Sequence, residues 1–374
     1  EFLMANLDGE RVAASDVALY PSTTTYYGIR SVTGHAFAPR TWKEALVTLD
    51  PDALRFSETF TTLRTSPEIA RSPMLDRLSA RYFVAPATVP LLGTERRSVG
   101  ALPDVIDPGR RLEYPITSAP AAGVAIPLPK GHDPGTGTSI VTVEVLDEDG
   151  TALSSATRRI PTPHGPTELL IGVPTTDRGA AIRIGFSGDA GLVVDSRPLD
   201  LVTAFPDLPV VFGGSTTIYE RRNALERIRW ASSSIPMEDP AARLALLATG
   251  LDRSTVVLSA PSTSSEGGEG SIDVVLDDAR DSIVLDVSAV GPGYVVIADS
   301  LQVGWSATID GATVDLLEAD HVGVAVAIPA GNHRVVLNAA PDGWNVGRAI
   351  SATSGAVLVT SIGIAILRRR AGAT

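Results

Sequence analysis

The 374-residue chain contains no cysteine, which excludes a disulfide framework, a thiolate metal site and a cysteine nucleophile together. Lysine is nearly as scarce. Lys43 and Lys130 are the whole complement, and arginine carries the remaining positive charge. With 31 basic against 43 acidic residues the net charge is −12, which argues against nucleic acid, because phosphate binding needs clustered cations that release counterions. A G-x-S-x-G elbow and a P-loop are also missing. The opening "EFLMANLDGERVAAS" lacks a basic region ahead of an apolar one, so it does not read as a signal peptide. Starting at Glu1, the chain reads as the tail of something longer.

What is present is a β-rich pattern. The 34 glycines and 27 prolines are spread among segments that otherwise read as strands, and a hydrophobic content of 44% excludes disorder for most of the length. A chain this long is expected to hold two or three domains, each burying its own core. The fold class expected is mainly β with an α/β part: β-sandwich modules, a small mixed α/β domain and one C-terminal transmembrane helix.

That helix is read from Ala349 to Leu367, nineteen residues without a charge. At about 1.5 Å per residue it matches a ~30 Å hydrocarbon core. Arg348 precedes it, and Arg368, Arg369 and Arg370 follow. By the positive-inside rule, residues 1–343 are then expected outside a bacterial cell membrane and the tail 368–374 in the cytoplasm. Trp344 stands where an interfacial anchor belongs. The competing reading is a buried core helix, which Ser351, Thr353, Ser354 and Ser361 would favour.

Before the helix, "SIDVVLDDARDSIVLDVSAV" reads as two paired strands, with Ile272, Val274 and Leu276 alternating on one and Ile283, Leu285 and Val287 on the other. In "QVGWSATIDG", Asp310-Gly311 is a strong type I′ hairpin signal. The register it sets places Ile309 opposite Ala312, Ala307 opposite Val314 and Trp305 opposite Leu316, so Trp305 is expected to turn inward. A second hairpin is expected between 321–328 and the strand from His333, across "PAGN". Together these predict an antiparallel sandwich over 271–342, set off by the polar, glycine-rich linker "SSEGGEGS".

A further β-sandwich, jelly-roll-like, is predicted over 98–207, with Val141, Val143 and Val145 alternating, an acidic turn at "DEDG", and Ile182, Ile184 and Phe186 on a later strand. The flanks, 1–97 and 208–263, mix helix and strand. "TWKE" reads as a capping box with Thr41 at the N-cap and Glu44 at N3. "DPAARLALLATG" opens with Asp239 as N-cap and Pro240 at N1, and stops at Gly250. If "ARYFVAP" (80–86) pairs with the strand beginning at Thr216, the 98–207 sandwich is an insertion within one α/β domain.

No catalytic, cofactor-binding or metal-ligating residue is assigned. His35, His132 and His164 lie in separate Gly- and Pro-rich segments, and the expected register keeps His321 about 23 Å along the strand from His333. The acids of "LDEDG" and "VVLDDARD" sit at strand turns, where Asp bonds its own backbone. Tyr114, Phe186 and Phe205 are the aromatics of the inserted sandwich. They could platform a sugar, or core packing could absorb all three and leave the sandwich a scaffold.

The stretch "GPGYVVIADSLQVGWSATIDGATVDLLEADHVGVAVAIPAGNHRVVLNAAPDGWNVGRAIS" resembles the C-terminal extracytoplasmic segment of YfhO-type bacterial membrane proteins, over residues 291–367. Upstream the resemblance is looser: Tyr219, Glu220, Asn223, Ala224 and Arg227 follow a similar order, with two arginines inserted after Glu220, and 98–207 has no counterpart. That family is similar to GT-C membrane glycosyltransferases, which use polyprenyl-phosphate sugars and place a catalytic acid in an early loop that has no counterpart in this chain. The resemblance implies the extracytoplasmic end of a multi-spanning protein acting on cell-envelope polymers. Its partners would be the bilayer through 349–367 and a glycan or polyprenyl-linked sugar, with no cofactor in this part and catalysis not expected of it alone. The other reading is a non-enzymatic surface module, anchored by one helix, that binds glycans or an envelope protein.

Overall fold

The computed structural model describes residues 1–374 apart from 36–37, 117–119, 130–139, 161–166, 189–190, 196, 263–264, 279–281, 301–303, 340–342 and 372–374. It is mainly β, with several sheets and one long C-terminal helix. Four strands build the first sheet, in the spatial order Arg11–Ala14, Ala80–Pro86, Thr216–Glu220, Val210–Gly213. The first pair is parallel and the others antiparallel. The pairing expected between 80–86 and the strand at 216 forms, with Tyr219 opposite Phe83 and Thr217 opposite Ala85. Apolar cover on both faces makes Ala80–Pro86 a nearly continuous buried run. Helices Arg40–Leu49, Pro73–Arg77 and Pro240–Ala248 contribute Leu46, Leu75 and Leu247 to the core on one face. On the other face Leu3, Leu19 and Ile29 cover Val12, Val84 and Ile218.

Asp239 caps its helix as expected, accepting from the Ala242 amide at 2.7 Å, and Gly250 follows the helix with φ of +83°. The "TWKE" capping box does not form. The helix starts two residues earlier, with Pro39 at the N-cap and no side-chain cap. Glu44 is instead engaged by Arg40 at 2.7 Å and by His321 at 3.1 Å, and those partners outcompete a bond to its own backbone.

Between Pro86 and Val210 the chain builds a separate eight-stranded sandwich. Its strands are Arg96–Gly100, Arg111–Pro115, Ala121–Pro127, Ile140–Leu146, Ala152–Arg159, Glu168–Gly172, Ala181–Ser187 and Leu199–Thr203. Counted in that order, the two sheets run 1-8-3-6 and 2-7-4-5, which is jelly-roll connectivity. Val141, Val143, Val145, Ile182, Ile184 and Phe186 all point into the core, facing Val124, Ile126 and Ile171. The alternation seen in the sequence is therefore the inward face.

The C-terminal sandwich packs two sheets around Leu285, Val287, Val295, Ile297, Val326 and Val335. Five strands order as Gly270–Asp278, Ser282–Ala289, Gly331–Ala339, Trp305–Ile309, Ala312–Val314. The Asp310-Gly311 turn forms with φ of +51° and +85°, setting Ile309 opposite Ala312 and Ala307 opposite Val314. That ladder stops at Val314, and Trp305 pairs with Ala339; Trp305 and Leu316 nonetheless both pack, half-buried, on the core.

The second hairpin expected here does not form. Gly323–Ile328 and Gly331–Ala339 lie in different sheets. Both strands carry core residues, Val326 and Ile328 on one and Val335 and Leu337 on the other, so the link at Pro329-Ala330 crosses the sandwich instead of closing a ladder. The six-stranded sheet also takes Ile228–Ala231, Ser233–Pro236 and Thr255–Leu258 from upstream of the "SSEGGEGS" segment. The glycines of that segment are held closely: Gly268 accepts from the Trp230 indole at 2.9 Å, and a Cβ on Gly270 would strike the same ring. On strand Gly270–Asp278 the predicted alternation also fails. A bulge between Val274 and Leu276 leaves Val274, Val275 and Leu276 all exposed.

The last helix runs Trp344–Ala371. Its stretch Val346–Ile366, 21 residues of mean hydropathy 1.8, is long and apolar enough to cross a membrane and is 0% buried in the protein. It is therefore not a core helix of the described body. Of the polar side chains that favoured that reading, Thr353 and Ser361 donate to the carbonyl four residues back, at 2.7 and 2.8 Å, and Thr360 does the same.

Candidate functional site

The residues singled out in the sequence are dispersed. His132 and His164 lie outside the described residues, and His35 ends the two-residue strand Gly34–His35. His333 bonds Asp310 at 2.7 Å. Asp147 of "DEDG" accepts from the Asp149 and Thr151 amides at 3.0 and 2.8 Å, holding its own turn. Asp286 sits across from Arg334 and contacts it at 3.1 Å. Tyr114 and Phe186 are buried in the jelly-roll core, while Phe205 packs on the α/β core beneath Arg71. None of these three rings is a platform. Among the described residues no group of three His, Asp or Glu is placed to hold a metal ion.

The motif around Tyr219 is more coherent. Tyr219 is fully buried, its hydroxyl accepts from the Leu92 amide at 3.0 Å, and burial pushes the phenol well up. Glu220 pairs with Arg81 at 2.6 Å. The first inserted arginine, Arg221, is buried and donates to the Ala80 and Ser72 carbonyls at 3.0 and 2.9 Å and to Asp76. It pins the short helices under the sheet. The second, Arg222, donates to the Pro206 carbonyl at 3.0 Å. Arg227 leads to a place where separate parts of the chain bring charge together beside a cavity.

There Asp299, just beyond the apolar strand Gly293–Ile297, accepts from both Arg11 and Arg227. Burial alone would raise this carboxyl, but the charges of Arg11, Arg227 and Arg30 outweigh it and hold Asp299 below its ordinary range. Arg11 also donates to the Leu78 carbonyl at 3.1 Å and lies 5.3 Å from the Trp42 ring centroid. Next to this cluster opens a cleft of about 680 Å³, lined by Asp8, Glu10, Arg30, Glu226, Arg227 and, on its apolar side, Ile272 and Val274. Carboxylates and guanidinium groups offer paired acceptors and donors in fixed planes. With an apolar wall beside them, they suit a neutral ligand with many hydroxyls better than one of strong net charge. Sequence reading missed this site because its parts come from residues 8–30, 226–228, 272–274 and 299. The available signal was a lone acid after five buried residues in "YVVIADS".

Neither a family profile nor a curated protein matches this sequence. Solved structures similar to it include two of the arabinofuranosyltransferase AftD from mycobacteria, one of them a point mutant. They cover 76% and 75% of this chain at 10% identity, with TM-scores of 0.18 and 0.16. This chain spans 28% and 27% of their length. No residue role is carried over at that level.

Two more buried charge clusters join the α/β part to the C-terminal sandwich. Asp320 receives Arg229 at 2.8 Å, Arg77 at 3.4 Å and the Val257 amide at 3.0 Å. His321 lies between Arg243, whose Nε is 3.3 Å from Nδ1, and Glu44. Burial and then Arg243 lower the His321 pKa, against the pull of Glu44. An unfolded histidine takes its proton near pH 6.5, above the folded value, so acidification favours the unfolded chain. Stability should be undiminished above about pH 6.5 and fall below it. A thermal-melt series from pH 8 to pH 5 checks this: His321→Gln should flatten the acid limb, and an unchanged limb would remove His321 as its cause.

Proposed function

We propose that this chain is the extracytoplasmic C-terminal part of a multi-spanning bacterial membrane protein, a YfhO-type relative of the GT-C glycosyltransferases acting on cell-envelope polymers. Its own task is to hold an acceptor saccharide above the membrane, in the cleft beside Arg227 and Glu226. The observation that carries the reading is the junction at residue 344, where a body of sheets with its own cores meets an apolar helix of membrane length that none of that body covers. The arginines at 368–370 favour a cytoplasmic end for that helix. The mixed lining of the cleft supports an uncharged polyhydroxylated ligand. Catalysis stays with parts of the protein outside this chain.

Two measurements test the parts separately. Alkaline carbonate extraction should leave the chain in the membrane pellet and release a version lacking 344–374. Release of the intact chain would sink the membrane assignment. An array of oligosaccharides from bacterial envelope polymers should then yield at least one that binds the body, with affinity falling about tenfold in Glu226→Ala, the loss of one charged hydrogen bond. An array that yields no binder, or binding indifferent to Glu226, would sink the acceptor role.

A further inference from the structure

The α/β sheet has an unusual cover on its outer face. There Leu3, Leu19 and Ile29 are turned inward, while the outside of the same layer carries Met4, Val17, Tyr20, Tyr26 and Tyr27. Tyr26 is 82% exposed and Tyr20 66% exposed. Phe56 belongs to the same surface: Arg55 lies over its ring and is tied to Asp16 at 2.5 Å. Residues 17–29 hold no charge in a chain that is 20% charged. A soluble face of this kind is rare, because exposed apolar groups in water normally stand singly among charges.

The layer is continuous with the route to the membrane helix. Gly9 and Arg30, at its edge, line the same cleft as Ile272 and Val274 of the edge strand Gly270–Asp278. On that strand Val274, Val275 and Leu276 are exposed together, which an edge strand in water ordinarily avoids. Leu276 is level with Val284 and Val336, and Asp278 with Ser282 and Asn338. Leu276 is thus about 7 Å of strand from the last rungs before the helix, comparable with the depth of one headgroup layer. Tyrosine is a residue of that layer, its ring in the acyl boundary and its hydroxyl in water.

We infer that the tyrosine-bearing face formed by residues 4–27, with Val274–Leu276, lies on the bilayer surface, so that the α/β part is seated on the membrane instead of standing off on the helix. The inference depends on the span at 346–366 being inserted, and it says nothing of what the cleft binds.

The absence of cysteine makes the test direct. Nitroxide labels are placed singly at Tyr26→Cys, at Leu153→Cys on the exposed surface of the jelly roll, and at Val357→Cys in the helix. The full chain is then reconstituted in nanodiscs of phosphatidylcholine with one-quarter phosphatidylglycerol. Power-saturation EPR compares collisions with oxygen, which concentrates in lipid, and with a water-soluble nickel chelate. The label at 26 should favour oxygen severalfold over the label at 153, approaching the one at 357. A label at 26 matching that at 153, while 357 remains in lipid, overturns the inference and leaves the span intact. An aqueous label at 357 overturns both. Shielding at 26 that appears only in native membranes also overturns it, and assigns the face to a protein partner.

Discussion

Replacing Asp320 by alanine should cost the folded chain about 3–5 kcal/mol, the loss expected when one member of a buried charged group is removed. Asp320 is 5% exposed and holds Arg77 and Arg229, both buried. Those arginines also donate to the carbonyls of Thr255, Asp252 and Arg253, so they cannot swing into water without stripping the loop at 252–255. Alanine leaves two cations buried on carbonyl oxygens alone and the Val257 amide without its acceptor. Asparagine keeps an acceptor for that amide and loses only the charge, so it should fall between alanine and the native chain. Urea unfolding followed by tryptophan fluorescence would read the series, and equal stability of the three would show the cluster to be neutral.

Gly213→Ala should be nearly as damaging, by a different route. A Cβ there would overlap the Gly172 carbonyl, at a distance no real Cβ contact shows, and would press on Ala156. Gly172 and Ala156 belong to the jelly roll and Gly213 to the α/β sheet, so the two backbones touch where they join. Both flanking obstacles are main chain or a core alanine, leaving no flexible side chain to give way. Overpacking of this kind costs typically 1–3 kcal/mol. Gly213→Ala should therefore sit at the upper end of that range and open the 87–95 connection to protease well below the native melting temperature. A variant as stable and as resistant as the native chain would mean that the joint is loose.

Much of the β framework was legible because inward and outward residues alternate in the strands that matter: Val141, Val143 and Val145, or Ile283, Leu285 and Val287, each declare a buried face. The Asp-Gly turn was equally plain, since positive φ at two successive positions admits few residue pairs. The failures share a cause, that local pattern is silent about long-range partners. Pro329-Ala330 looks like a hairpin until the opposite sheet claims one of its strands. Thr41 and Glu44 look like a capping box until Arg40 and His321 take the glutamate. The cleft left only a lone acid in "YVVIADS" as its trace, because Arg11, Arg227 and Asp299 beside it meet across 288 residues of sequence.

The helix at Trp344 follows the strand Gly331–Ala339, which occupies the middle of its five-stranded sheet, paired with Ser282–Ala289 on one side and Trp305–Ile309 on the other. A pull on the helix along that strand would load both ladders in shear, all rungs at once, where an edge strand would peel one rung at a time. The tether is thus attached at the stiffest line of the body it holds, and mechanical force from the membrane would be spread through the sandwich before it reached the cleft.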